Sequence, residues 1–303
     1  MKTKTFVTAL LLCATLGVFA NEQRAQLDSV INETYPSGKI KVEYSFNANG
    51  TVKSDIESSW KMNAWSQTYK NDYTYAAYNY ISITIKSRMN LNTNSWNPTT
   101  KYEYAYNDKG DQIVRKEYKW DTDHWTTRQL IKSSYTYDTN GRISSSIDTT
   151  AISELTWQQI LQSVFIYDDS GKQISKETSL WDAKSETWAK ESKYSYTYDA
   201  DDNLILILCK SWKEAEKDWG DSKKEEMTYD ANGYLLTKIL SIWTTENNWL
   251  QFEKSTYYYH GYNTAIDYIE TSGNALSTKF FRNGQLFIQR GDKTYTVTGQ
   301  EVK

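Results

Sequence analysis

The sequence is short of the residues that most often carry catalysis or covalent bracing. Its 303 residues include only 2 Pro, 2 His and 2 Cys. Two cysteines cannot staple a disulfide framework, and so few histidines and cysteines do not furnish a zinc cluster. Long apolar runs are also missing. Beyond the first twenty residues nothing approaches the ~18 apolar residues that a membrane-spanning helix needs. The net charge of -3 gives no electrostatic case for nucleic acid or an anionic membrane surface. What is plentiful is aromatic: 12 Trp, 25 Tyr and 8 Phe make up 15% of the chain. That content argues against disorder, although the mean hydropathy is -0.74.

The first twenty residues have the layout of an export signal. Lys2 and Lys4 precede an uncharged stretch from Phe6 to Phe19, and Val18-Phe19-Ala20 suits cleavage after Ala20. Cys13 follows Leu10-Leu11-Leu12, but the bulky Leu12 is a poor lipoprotein processing site. Cleavage after Ala20 leaves Cys209 as the one cysteine, with no partner for an internal disulfide. The protein is therefore expected to be exported, to the extracellular space, the outer cell surface or the periplasm.

Self-similarity organises the rest. Tyr-Asp-x-x-Gly occurs at Tyr137-Asp138 to Gly141, Tyr167-Asp168 to Gly171 and Tyr229-Asp230 to Gly233, with variants at Phe46-Asn47 to Gly50 and Tyr106-Asn107 to Gly110. Tyr198-Asp199 to Asp202 lacks the glycine, and Asn79 and Asn263 mark degenerate copies. Successive turns lie 29, 31, 31, 30, 31, 31 and 30 residues apart. Ten residues after the first seven come Trp60, Met89, Trp120, Ala151, Trp181, Trp212 and Trp243. A second indole follows in every copy, at Trp65, Trp96, Trp125, Trp157, Trp188, Trp219 and Trp249.

Each unit reads as a β-hairpin. Asn-Gly, as at Asn140-Gly141, supplies the positive φ that a tight turn requires. Trp188, Tyr194, Tyr196 and Tyr198 share one parity, which predicts indoles and phenols on a common sheet face. Leu204 to Cys209 is apolar at both parities and reads as buried on both faces. Eight turns pair about sixteen strands between Ile40 and Thr271, and the short connections predict an antiparallel meander. Residues 21–38 form a lead-in in which Leu27, Val30 and Ile31 could hold one side of a short helix. The repeat domain is expected over 39–272 and a β tail over 273–303. Laid flat, sixteen strands would span ~77 Å, and roughly 20° of twist per neighbour prevents that. The expected fold is all-β, a coiled or rolled single sheet, with two-layer packing as the alternative and an outer-membrane barrel third.

Tyr135 to Arg142, Tyr-x-Tyr-Asp-x-x-Gly-Arg, resembles the YD repeats of Rhs and teneurin-like proteins, which build β-shells from strand-turn-strand units. The repeat spacing here is longer, and the paired tryptophans are not part of that pattern. The whole layout is similar to uncharacterised secreted repeat proteins of Bacteroidetes. The end of the chain, Asn283 to Ile288 and Tyr295 to Lys303, is similar to the close of type IX secretion sorting domains, which implies outer-surface delivery. The alternative for this tail is a terminal hairpin pair that caps a sheet edge.

Chemistry-bearing motifs are scarce. His124 and His260 show no recurrent ligand spacing, so neither a metal nor a cofactor is expected. Asp199-Ala200-Asp201-Asp202-Asn203 lacks the distal Glu of a calcium loop and suits a turn. Cys209 sits in an apolar run and reads as a small hydrophobe. No phosphate loop, nucleophile elbow or His-Glu-x-x-His is present. The expected function is a secreted or surface non-catalytic repeat protein, binding or structural, with a glycan or extracellular protein as partner. The alternative is an extracellular hydrolase with a concealed carboxylate or His site. Cross-strand aromatic pairs are ordinary sheet stabilisers, but indoles at loop ends are the freest to contact a ligand. The candidate binding residues are therefore Trp120, Trp125, Trp181, Trp188, Trp212, Trp219, Trp243 and Trp249.

Overall fold

The computed structural model describes residues 26–36, 38–153 and 156–260, and the strands of 277–302. The leader with Cys13 and the second arm expected after Asn263 lie outside the described residues. The chain forms two units, residues 1–261 and 262–303. In the first, the strands are β1 (Gln26–Thr34), β2 (Gly38–Phe46), β3 (Val52–Lys61), β4 (Ala64–Tyr75), β5 (Ile81–Asn90) and β6 (Ser95–Tyr106). Next come β7 (Gln112–Asp121), β8 (His124–Tyr137), β9 (Ile143–Ala151), β10 (Trp157–Tyr167) and β11 (Gln173–Asp182). The series ends with β12 (Thr187–Tyr198), β13 (Leu204–Lys213), β14 (Asp218–Tyr229), β15 (Leu235–Trp243) and β16 (Trp249–His260). The second unit holds β17 (Ser277–Arg282), β18 (Gln285–Arg290), β19 (Lys293–Thr296) and β20 (Glu301–Val302), paired in chain order.

The turn chemistry explains the hairpins. In the Asp138 copy, Gly141 N–H donates to the Asp138 carbonyl at 3.0 Å and Asp138 N–H donates to the Arg142 carbonyl at 2.8 Å. The Asp138 carboxylate accepts from the N–H groups of Asn140 and Arg142, both at 2.9 Å. This is a type I turn closed by a left-handed residue, Gly141 at φ +79°. Asp or Asn serves at the first position as acceptor, and Gly is favoured at the fourth because it lacks a Cβ. Asp202 holds the same place at φ +70° in the copy without glycine.

The expected open sheet is corrected by the strand order. All sixteen strands of the first unit are antiparallel neighbours in sequence, and β1 also pairs with β16, so the sheet is a closed barrel. It is neither an open coil nor two packed layers. The residues expected as a short helix, with Leu27, Val30 and Ile31, instead form β1. That strand bonds β2 through Val30↔Val42 and β16 through Val30↔Tyr257. An open meander would leave two rows of unpaired backbone groups at its edges, and a helix could satisfy neither row. Adopting β structure over 26–34 satisfies both. A sixteen-stranded barrel with strands tilted ~40° is roughly 30 Å across. Its apolar core is correspondingly thin: among the described residues only Val30, Cys209 and Met227 are buried hydrophobics. The remaining Leu and Ile of β13 are half-buried, not enclosed on both faces.

Indoles and most strand phenols do not share a face, although Tyr118 lies on the indole side beside Trp120. In β11, Lys176 pairs with Tyr194 while Trp181 pairs with Trp188. Positions 176 and 181 lie an odd number apart on one strand, so Tyr194 and Trp188 point to opposite sides. The cause is a β-bulge at Glu191, which the β11–β12 register skips. The same skip recurs at Thr68, Thr99, Arg128, Ile160, Ser222 and Phe252. Each of these even-numbered strands therefore reverses its alternation once. The tyrosine face is the lumenal one. Tyr257 of β16 sits two strands from Tyr44 of β2 yet helps raise its phenol, and Lys176 of β11 feels both Asp148 of β9 and Lys223 of β14. Lys176 thus couples to a side chain three strands away, while Val164 and Ile166 on the opposite face are 43% and 47% exposed, which marks the tyrosine face as the concave one. The opposite, convex face bears the indoles and ion pairs such as Lys70–Asp72, Lys101–Glu103, Lys193–Glu177 and Lys224–Glu226.

Candidate functional site

All eight candidate indoles lie on the outer face at one rim, next to the hairpin loops opposite the Tyr-Asp turns. They associate within hairpins. Trp120–Trp125, Trp181–Trp188, Trp212–Trp219 and Trp243–Trp249 are directly cross-strand. Their ring centroids are 4.9, 5.1, 5.2 and 5.0 Å apart, all edge to face. Trp60–Trp65 is a fifth such pair at 5.1 Å. Met89 and Ala151 replace the first indole in two hairpins, so only β11 to β16 carry three intact pairs in succession. The eight candidate rings are half-buried, whereas Trp60 is 43% exposed. Lysines from the neighbouring hairpin lie over the rings: Lys190 Nζ is 4.3 Å from the Trp212 centroid, Lys224 5.4 Å from Trp249 and Lys101 5.7 Å from Trp125. The T-shaped pairs close the hairpin mouths, each worth about 0.5–1.5 kcal/mol. Their outer edges still face water.

The lumenal face carries a second recurrent device. At the end near the Tyr-Asp turns, the ladder of each tryptophan-closed hairpin stops two residues short of the odd strand's start, which leaves a carbonyl without a backbone donor. A tyrosine hydroxyl fills the gap. Tyr198 donates to the Gln173 carbonyl at 3.0 Å, Tyr229 to Leu204 at 2.9 Å and Tyr259 to Leu235 at 3.0 Å. Tyr75, Tyr106 and Tyr167 do the same for Val52, Ile81 and Ile143. In β8, Tyr135 serves Gln112, because the Tyr137 hydroxyl donates to Asp111 at 2.6 Å. A tyrosine at the turn position, or two residues before it in β8, is thus a latch that satisfies a half-buried carbonyl.

Charged side chains break the repeat symmetry inside the barrel. Asp55 is 5% exposed and accepts from Tyr73 Oη at 2.5 Å and Asn71 Nδ2 at 3.0 Å. Burial pushes its carboxyl above the ordinary value, with Glu57 adding to the rise and the two donors and Lys86 opposing it. The nearby Tyr44 is pushed up to about 12, by burial first and by Asp55 and Tyr257 next. Both Asp55 oxygens are engaged, which suits a structural anchor better than a proton-transfer group. On the far side, Lys176, Tyr194, Cys209 and Lys223 form one row across β11 to β14.

The other sequence candidates are accounted for locally. His124 is exposed, with Nδ1 2.8 Å from Asp123 Oδ1. His260 ends β16 and its side chain lies outside the described residues. The Asp199 carboxylate accepts from the N–H groups of Asp201 and Asn203 at 3.0 and 2.8 Å, the turn role expected of it. No grouping of three metal-binding side chains occurs among the described residues. Cys209 is 3% exposed and burial pushes its thiol up, away from nucleophilic character. Sequence reasoning missed Asp55 and Lys176, which lie on the odd strands β3 and β11, because only closure of the sheet decides which parity faces the lumen.

A model described as a family of unknown function (DUF3836) matches residues 153–228, from just before β10 to the end of β14. A DUF3836 family protein from Bacteroides vulgatus is 21% identical over 29% of this chain and 90% of its own, with a TM-score of 0.27. Another, from Parabacteroides distasonis, is 20% identical over 31% of this chain and 82% of its own, also at 0.27. A porin-like protein from Bacteroides uniformis is 8% identical over 77% of this chain and 96% of its own, at 0.47. No protein with a curated description matches.

Proposed function

We propose that the protein is exported and acts as a non-catalytic binding barrel, holding an extracellular glycan or protein against its tryptophan rim. The observation that carries this reading is the run of three consecutive indole pairs on β11 to β16, each with water-facing ring edges. Adjacent pairs sit two strands apart, about 9.6 Å along the rim, so one extended ligand can meet several at once and gain from multivalency. Export follows from the leader-like first twenty residues and from the sorting-domain-like tail. The chain has no helix long and apolar enough to cross a membrane among the described residues. The barrel itself is read as standing in water, because lysine–carboxylate pairs occupy mid-strand positions of its outer face, where a lipid-facing strand would be apolar.

The test is retention of the purified barrel on glycan and host-protein arrays. Wild-type protein is compared with Trp181→Ala/Trp188→Ala and with Trp60→Ala/Trp65→Ala, each checked for an intact fold by circular dichroism. Loss of retention in the first variant and not the second supports a rim site on β11 to β16. Equal retention by wild type and both variants rules the rim out.

A further inference from the structure

Lys176 and Lys223, in the lumenal row across β11 to β14, differ from the outer-face lysines and from lumenal Lys238, which lies 3.5 Å from Glu225 of β14. Outside, lysines sit beside acids: Lys70–Asp72 is 2.7 Å, Lys193–Glu177 2.8 Å and Lys224–Glu226 2.8 Å. Inside, Lys176 and Lys223 approach the same ring, Tyr194, with their ammonium nitrogens 5.4 and 5.8 Å from its centroid. Lys176 also lies 5.9 Å from the Phe165 ring. Neither lysine has a carboxylate within ion-pairing distance among the described residues. The acids that face Lys176 are Asp148 of β9 and Glu191 of β12, and Glu191 is held by the Thr178 hydroxyl at 3.1 Å. One register step along the strands lies a row of hydroxyls, Ser163, Thr178 and Ser192, paired in succession across β10 to β12. Ser163 and Thr178 are 4% and 5% exposed.

Two ammonium groups turned toward one ring, with Asp148 and Glu191 near Lys176 but outside ion-pairing contact, keep donor capacity that an added oxyanion can take up. We propose that Lys176 and Lys223, with the Tyr194 hydroxyl and the hydroxyl row behind them, form a lumenal binding site for a ligand bearing an oxyanion, a carboxylate or phosphate group. The ammoniums supply charge-assisted hydrogen bonds to the oxyanion, and the hydroxyls supply neutral donors and acceptors to the groups attached to it. Burial lowers the proton affinity of Lys176, opposed by Asp148, Glu191 and Cys209 and reinforced by Lys223. A bound anion restores that affinity, so binding at alkaline pH is accompanied by proton uptake. The site is independent of the tryptophan rim, and either can fail without the other.

The experiment is isothermal titration of the full-length exported chain with citrate and, separately, with inorganic phosphate at low ionic strength. Wild type is compared with Lys176→Met, Lys223→Met, the double variant and Lys193→Met, an outer-face control on β12. Thermal melts establish that each variant is folded, and Lys176→Arg serves as a second test if a methionine variant is not. The expected result is saturable binding that weakens roughly tenfold or more in each lumenal variant and is unchanged in Lys193→Met. A stronger response to citrate assigns a carboxylate ligand, and one to phosphate a phosphoryl ligand. Absence of saturable binding by either probe, equal affinity in the double variant, or equal weakening in Lys193→Met overturns the proposal.

Discussion

Removing a latch hydroxyl isolates one interaction. In Tyr198→Phe the ring stays and only the bond to the Gln173 carbonyl, 3.0 Å in length, is lost. Tyr229→Phe removes the bond to Leu204, 2.9 Å in length. Phe46 stands at the equivalent position of the first hairpin, so a phenyl ring is sterically compatible with it. Each carbonyl lies beyond the last rung of its ladder, in a half-buried setting, so each substitution should cost about 1 kcal/mol, within roughly 0.5–1.5. The two latches have separate acceptors about 9.6 Å apart across two strands, so the double variant should lose close to the sum, within about 0.5 kcal/mol. Urea titration followed by tryptophan fluorescence measures this through the shift in midpoint at constant slope. Changes under ~0.3 kcal/mol in both single variants would refute the idea that these hydroxyls satisfy carbonyls the ladder leaves open.

Three further outcomes follow from the same geometry. Gly141→Ala meets open space but keeps φ at +79°, so thermal melting should show a loss of about 1–2 kcal/mol that is purely conformational; a neutral result would mean the turn can relax. Deleting Glu191 removes one bulge and turns Trp188 toward the lumen, so the exciton circular dichroism of the coupled indoles should fall by about one pair. An unchanged exciton band would contradict the face assignment. Tyr44, Tyr196 and Tyr259 are pushed up to about 12, chiefly by burial, from an ordinary value of 10.0. The folded state therefore keeps protons that the unfolded chain releases above pH 10, so their contribution is intact below that pH and is lost as pH rises toward 12. Phenolate absorbance and circular dichroism should change together in that window, and ionisation near pH 10 with the fold intact would count against the buried placement.

Much of the local structure was legible without coordinates. Tyr-Asp-x-x-Gly identifies each turn because its chemistry lies within five residues: Asp138 must accept from Asn140 and Arg142, and Gly141 must take positive φ. The recurring indoles likewise mark the mouths of the hairpins, since Trp181 and Trp188 meet across a short loop. The candidate rim was therefore readable residue by residue. Its lysine neighbours were not, because Lys190 reaches Trp212 from the adjoining hairpin.

Three features were decided only in three dimensions. Gln26–Thr34 is ambiguous as an isolated segment, and its strand form is imposed by the two sheet edges it joins, one of which belongs to residues more than two hundred positions away. The separation of most phenols from the indoles depends on a one-residue slip in each even strand from β4 to β16, which strict alternation cannot anticipate. Closure then gathers Lys176, Tyr194 and Lys223 from different strands on one concave surface. Turn and strand formation are governed by short-range sterics and hydrogen bonding, which a local stretch of sequence contains. Register and closure depend on satisfying every backbone group around the ring at once, and that condition exists only in the completed barrel.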